Sequence, residues 1–281
     1  MFAANCLGNL LCSCFPEIFK EQTKYIPYTI EEIANEAKKC VENGASVIHL
    51  HVRKDNGEPT QDIEIFKEAI SAINSVCKEK PIINVSTGGA IGMSIEERIQ
   101  PVYLKPEIAT LDIGTMNFGE EIFVNDLETM VEFAKIMKKE GVKAEFEIFD
   151  TSGIEQSKYL IKKKLVKKPY LYNLVFGVFG GMPASLKQLI HIVDSLPKNS
   201  VWTASGIGKN QLKINIGALI MGGHVRTGLE DNIYYSKGRL AKGSYELVKR
   251  IFRLAKEYGR EVATPDEARK IMGLENGKEK T

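Results

Sequence analysis

The chain has 281 residues, 43% of them hydrophobic and 26% charged, and its 38 basic and 36 acidic residues leave a formal net charge of +2. That balance excludes a disordered chain, which has fewer apolar residues and a larger charge imbalance, and a nucleic-acid binder, which carries a net positive field. Every long apolar run is broken by Lys, Glu, Gly or Asn before the roughly 18 residues that a membrane span requires.

The first stretch, Met1 to Cys14, is apolar but lacks the basic start and the small-residue cleavage site of a secretory signal. The five cysteines (6, 12, 14, 40 and 77) have no paired spacing, and Cys12-Ser13-Cys14 has no partner pair for a metal site. They read as reduced structural thiols in a cytoplasmic protein.

From there two element types alternate. Thr29 with Glu31 and Glu32 caps a helix that stops at Asn43-Gly44. Ser46–Val52 reads as a strand, Asp62–Lys78 as a helix and Pro81–Ser86 as a strand. Ser94 and Glu97 then open a helix in capping-box style. Strand Ile108–Ile113, helix Asp126–Glu140 closed by Gly141, and strand Val142–Phe149 follow. A Lys-rich helix begins after Ser152, strand Tyr170–Phe176 comes next, and a helix starts after Pro183. The pattern finishes with strand Ser200–Ala204, a helix from about Asn210 to Met221, a short strand His224-Val225 and a helix from about Ala241 to Tyr258.

If the apolar stretch 1–16 is counted as an atypical first strand, eight strands alternate with eight helices. Short links between alternating strands and helices mean a parallel sheet. Eight such units in this length predict an α/β protein with one (β/α)8 TIM-barrel domain over residues 1–281. A doubly wound sheet would carry a Gly-rich fingerprint after its first strand, and none is present. Residues from about 264 to 281 read as a polar, peripheral tail.

Strand alternation separates helix-facing from interior residues. Ile48, Leu50 and Val52 face the helices, which turns Val47, His49, His51 and Arg53 inward. Ile83 and Val85 likewise turn Asn84 and Ser86 inward, and Leu111 and Ile113 turn Thr110 and Asp112 inward. Val142, Ala144, Phe146 and Ile148 leave Glu145 and Glu147 inside. Ionisable groups in a barrel interior are costly unless paired or bound to a ligand. Their position near the C-terminal strand ends marks the mouth where barrel active sites lie.

His49 and His51 project from one side of a strand with bases about 6.5–7 Å apart, and two converging imidazoles suit zinc. A third ligand is required, and spacing leaves Glu147, Glu230, Asp231 and His224 all open. His191, in mid-helix, reads as a surface residue. The turns Ser86-Thr87-Gly88-Gly89 and Phe179-Gly180-Gly181-Met182 let backbone N–H groups approach an anion, or merely permit tight connections. The basic run from Lys158 to Lys168 closes a helix and precedes a strand, so it belongs to the face opposite the mouth and reads as solvated. The segment His224 to Asn232 is a second dense site: Arg226 is suited to a carboxylate, Glu230 to a metal and Asp231 to base catalysis.

As a set, Gly44 to Arg53, Val85 to Gly89, Met116-Asn117-Phe118, Glu145 to Asp150, Gly180 to Pro183 and Gly222 to Asn232 resemble the β-keto acid cleavage enzymes, over about Glu17 to Gly273. The resemblance implies a zinc-dependent, oligomeric barrel enzyme, often a tetramer. It would condense a β-keto acid with acetyl-CoA to give acetoacetate and a new acyl-CoA. The implied keto acid is 3-keto-5-aminohexanoate, from lysine fermentation, and the implied acyl product is 3-aminobutyryl-CoA. The resemblance assigns His49, His51 and Glu230 to the metal, Arg226 and Asp231 to the proton-abstracting dyad, and Glu147 to the catalytic pocket. It gives Ser86, Gly88, Gly89 and Thr110 to substrate binding, and Glu17 to the distal end of the substrate, where an acid suits a 5-amino group. The family's first strand usually ends in Gly-Ala-Glu, whereas Phe15-Pro16-Glu17 stands here. Two rival readings keep the metal. One is a zinc hydrolase or aldolase independent of CoA; the other is a non-catalytic metal-binding relative.

Overall fold

The structure, a computed structural model, describes residues 20–54 and 56–274. The stretch expected as a first strand, together with Glu17, lies outside the described residues.

Seven strands form one parallel sheet: β1 (Val47–Leu50), β2 (Ile82–Val85), β3 (Ile108–Ile113), β4 (Lys143–Ile148), β5 (Tyr170–Phe176), β6 (Ser200–Gly206) and β7 (His224–Val225). Each pairs with the next in chain order, with no reversal. A doubly wound sheet would change direction partway; this one winds one way and curls. The curl brings groups from its two ends together, so that His51, just past β1, lies 3.7 Å from Glu230, just past β7.

Nine helices or helical turns of α type accompany the strands among the described residues. α1 (Ile30–Glu42) opens with a Thr29–Glu32 capping box, and α2 (Ile63–Val76) is capped by Asp62. Ser94 and Glu97 form the expected capping box, yet α3 (Ile95–Arg98) is a single turn followed by a 3-10 turn at Gln100–Leu104. Pro101 supplies no N–H and disfavours the α conformation at Gln100, which accounts for the change of pitch. α4 (Leu127–Glu140) ends on Gly141 in the left-handed conformation. The others are α5 (Ser152–Lys162), α6 (Leu186–Asp194), α7 (Gln211–Ile220), α8 (Ser244–Glu257) and α9 (Pro265–Met272). No helix of the described residues is long and apolar enough to cross a membrane.

The strand residues expected to face the helices do so. Ile48, Leu50, Val85, Leu111, Phe146 and Ile148 join Phe66, Phe133 and Leu160 from the helices in the main core. The interior floor is a separate cluster, in which Val47, Ile82, Ile108 and Leu171 pack against Ala263, Ala268 and Met272. This corrects the reading of residues after Thr264 as peripheral. A Thr264–Glu267 capping box starts α9, and its apolar face seals the end of the sheet opposite the site. Arg269 locks it in place, Nε donating to Glu107 Oε1 at 2.6 Å and Nη2 to Oε2 at 2.9 Å.

Three antiparallel ribbons follow β1, β3 and β7: Val52–Arg53 with Pro59–Thr60, Met116–Phe118 with Glu121–Phe123, and Tyr234–Ser236 with Arg239–Leu240. All three belong to strand-to-helix connections, on the side of the mouth.

Candidate active site

The interior side chains nearest the strand ends form one charged cluster. β1 presents His49, and His51 follows it; their Nε2 atoms are 2.9 Å apart. Donor atoms of His49, His51 and Glu230 all lie within 4.8 Å of one another, and all three residues are buried. Burial, then the nearby Arg226 guanidinium, holds both imidazoles well below the ordinary histidine range, so both are neutral. A neutral imidazole is the form that ligates a metal.

Arg226 occupies the centre. Its Nη1 donates to Glu147 Oε1 at 2.7 Å and its Nη2 to Glu230 Oε1 at 2.6 Å, while Asp231 Oδ2 lies 3.5 Å from Nε. One guanidinium therefore serves three carboxylates. Burial pushes Glu230 well above the carboxylate range against the pull of Arg226, and Asp231 up to about 6 with the same opposition. On β4, Glu147 also accepts from Asn173 Nδ2 at 2.8 Å. One step deeper, Glu145 accepts from Asn84 Nδ2 at 2.6 Å. Burial and the Glu147 charge raise Glu145 to about 7. Asp112, the register partner of Glu147 on β3, is lifted to about 7 by burial and Glu147, with Arg98 opposing.

A cavity opens over this cluster. Gly88, Gly89, Asp112, Glu147, Arg226, Glu230 and Asp231 line its polar side, and Phe118, Phe123, Phe149, Val175, Val178 and Ile207 its apolar side. Phe118, Phe123 and Phe149 meet edge to face at 5.9–6.5 Å. Gly180 holds the Phe118 ribbon close: it has φ +96, and an added Cβ would stand 2.0 Å from Asn117 O.

Of the sequence-based candidates, His49, His51, Glu147, Arg226, Glu230 and Asp231 come together as one group. Gly88 and Gly89 reach the cavity wall. Ser86 and Thr110 sit behind them: Ser86 Oγ accepts from Gly88 N, and Thr110 Oγ1 from Thr87 N at 3.0 Å. His224 is buried on β7 but is not among the three clustered donors, and His191 is exposed on α6.

Arg98 is a residue that sequence reasoning missed, because at the end of a short acidic helix it looks like any surface charge. It is buried, donating from Nε to Thr87 O at 2.9 Å, from Nη1 to Val124 O at 3.0 Å and from Nη2 to Asn125 Oδ1 at 2.7 Å. Its Nη2 also lies 3.4 Å from Asp112 Oδ2.

The model of the beta-keto acid cleavage enzyme family matches residues 16–274. The chain belongs to that family. It is 51% identical to the 3-keto-5-aminohexanoate cleavage enzyme of Acetoanaerobium sticklandii, over 93% of this chain and 96% of that one. It is 34% identical to the 3-oxoadipate:acetyl-CoA acetyltransferase of Cupriavidus necator, over 91% and 90%. The apo structure of ObcA superposes with a TM-score of 0.79 at 20% identity, covering 89% of this chain and 66% of that longer one, and so speaks for the fold.

The donor set fits a divalent metal in this member of the family. Two ligands on one tetrahedral zinc lie roughly 3–3.5 Å apart, close to the 2.9 Å between the two Nε2 atoms. Glu230 Oε2, the oxygen not taken by Arg226, is buried without a hydrogen-bond partner. A neutral imidazole pair beside a half-satisfied carboxylate is poorly satisfied by protein alone.

Proposed function

We propose that this protein is a zinc-dependent β-keto acid cleavage enzyme that converts 3-keto-5-aminohexanoate and acetyl-CoA to acetoacetate and 3-aminobutyryl-CoA. The observation that carries the reading is the buried His49, His51 and Glu230 triad set directly against the Arg226–Asp231 pair. The extent of the likeness to the sticklandii enzyme supports the choice of substrate.

Zinc held by His49, His51 and Glu230 would supply Lewis acidity toward the keto-acid carbonyl. Asp231 is the base for a C2 proton, and Arg226 fixes its carboxylate. Glu147 and Asn173 hold Arg226 from its far side, so the guanidinium cannot swing away from Asp231. The Gly88-Gly89 backbone, braced by Ser86 and Thr110, forms the wall against which the substrate rests. Phe118, Phe123 and Phe149 exclude water from the opposite wall. In the balanced reaction, the C2–C3 bond of the keto acid and the acetyl–sulfur bond of acetyl-CoA break, a bond from C2 to the acetyl carbon forms, and the proton taken from C2 returns to that carbon. The remaining acyl group takes the sulfur of CoA. Glu17, outside the described residues, is our candidate partner for the 5-ammonium.

Three further points belong to this reading. The sheet completes a single closed (β/α)8 barrel, which its one-way winding favours. The enzyme works as an oligomer, as the family resemblance implies. We read it as a cytoplasmic protein, a reading supported by its five cysteines without paired spacing.

The decisive test offers metal-loaded protein acetyl-CoA with a panel of β-keto acids and identifies the acyl-CoA products by mass spectrometry. His49→Ala and Glu230→Ala should lose bound metal and turnover together. Asp231→Asn should keep the metal and lose about 10²–10⁴-fold in kcat. Full activity after metal removal, or cleavage that does not need acetyl-CoA, overturns the assignment.

A further inference from the structure

The connections around the mouth differ sharply in charge. Residues 114–126, after β3, contain Glu120, Glu121 and Asp126 and no basic residue. Residues 232–243, after β7, contain Lys237, Arg239 and Lys242 and no acidic residue. All six of these side chains are exposed. A chain with a net charge of only +2 thus carries a strong local asymmetry across its mouth.

The basic side is also built. Tyr235 has the guanidinium carbons of Arg239 and Arg250 at 4.2 and 4.4 Å from its ring centre. Arg239 is held by an ion pair with Glu246, while the ammonium groups of Lys237 and Lys242 have no acidic partner among the described residues. Tyr234, next to Tyr235, is 47% exposed. Below it Tyr235, Tyr25 and Tyr28 pack against the cluster of Ile26, Leu229, Ala241 and Leu247, and the exposed Lys24 extends the cationic surface over the Tyr25 ring. This platform adjoins the reaction centre at two points. Leu229 immediately precedes Glu230, and Tyr28 is stacked by Arg53, two residues beyond His51.

We propose that the ribbon Tyr234–Leu240, with Lys237, Arg239 and Lys242, is the docking site for the phosphorylated ADP portion of CoA thioesters. The inference rests on the CoA-dependent reading above. A multiply charged polyphosphate is attracted to the cationic rim and repelled by Glu120, Glu121 and Asp126 opposite. Exposed Tyr234 offers an aromatic face for the adenine. The ligand would then lie over the β7–β1 side of the mouth, with its thioester arm directed toward Glu230 and Asp231. The acidic and aromatic β3 side is left for the keto acid.

The test compares acetyl-CoA with acetyl-pantetheine, which bears the same thioester without the nucleotide. In the double variant Lys237→Glu/Lys242→Glu, KM for acetyl-CoA should rise about tenfold or more, and the difference from wild type should shrink in high salt. KM for the keto acid, kcat, and kcat/KM with acetyl-pantetheine should match wild type. Glu120→Lys/Glu121→Lys serves as the opposite control and should leave KM for acetyl-CoA unchanged or lower it. Equal losses with both thioesters, or no change with either, overturn the proposal. Calorimetric titration with CoA and with pantetheine decides it separately: wild type should bind CoA more tightly, and the lysine variant should erase that preference. If wild type turns over neither thioester with any β-keto acid, the proposed reaction fails, while the titration still tests the docking site.

Discussion

Glu145 lies one step deeper than the carboxylate that touches Arg226, and the cost of its burial is measurable. Its carboxyl titrates near 7 because it is buried and faces the Glu147 charge, with Arg226 and the Asn84 amide opposing. The native state therefore keeps a proton that the unfolded chain releases near its ordinary value of 4.5. Protons bound in excess by the native state make stability fall as pH rises. The contribution is fully present below about pH 4.5 and is lost progressively up to about pH 7. A shift of this size corresponds to a loss on the order of 3 kcal/mol. Urea unfolding at pH 5 and pH 8 should show Glu145→Gln losing markedly less stability across that interval than wild type. Parallel slopes for the two proteins would refute the assignment. At this scale the sequence was informative: apolar alternation in β1 and β4 turned His49, His51, Glu145 and Glu147 inward, where the structure has them. It was silent on Arg98, because a buried guanidinium is recognised by carbonyls contributed from distant loops and not by its own neighbours in the chain.

At the level of elements, Arg98 joins pieces that share no secondary structure. It ties the glycine turn after β2, through Thr87 O, to the chain that returns from the aromatic ribbon, through Val124 O and Asn125. Its guanidinium stacks on Phe123 and Phe133 at 4.9 and 5.4 Å and lies 3.4 Å from Asp112. Arg98→Met should cost about 3–5 kcal/mol in unfolding, because it leaves Thr87 O, Val124 O and Asn125 Oδ1 without their donor and removes a positive charge that opposes the already raised Asp112 carboxyl. Adding Asp112→Asn should recover part of that loss, and a double-mutant cycle reads out the coupling. Purely additive effects would show that Arg98 acts only through its carbonyl partners. The principal strands and helices were legible because their periods repeat over several residues. The three ribbons were not, because strands of two or three residues complete hardly one period. The single-turn α3 shows the same limit: the capping box was visible, but the pitch change at Pro101 set its length.

Across the whole molecule, the last helix contributes more than its composition suggests. A segment rich in Asp, Glu, Arg and Lys reads as tail, yet the two that matter, Ala268 and Met272, stand four positions apart on one helix face, and together they close the interior floor. Arg269→Ala removes a bidentate ion pair with Glu107 that is largely shielded from water. It should lower stability by about 1–3 kcal/mol, and Met272→Ala by about 2–5 kcal/mol. Both variants should retain full metal content and an unaltered KM for each substrate, since the floor lies at the opposite end of the strands. A change in metal affinity would mean that the two ends are coupled.

The sealed floor also governs traffic. Among the described residues, Met272 and its neighbours stop one end of the strands, and the cavity faces the rim made by the strand-to-helix connections. In the reaction proposed above, the nucleotide-bearing thioester and the small keto acid would both enter over that rim. An acyl-CoA product that lingered at that rim would then delay the next keto acid, and a kcat that rises when the rim lysines are replaced would reveal it.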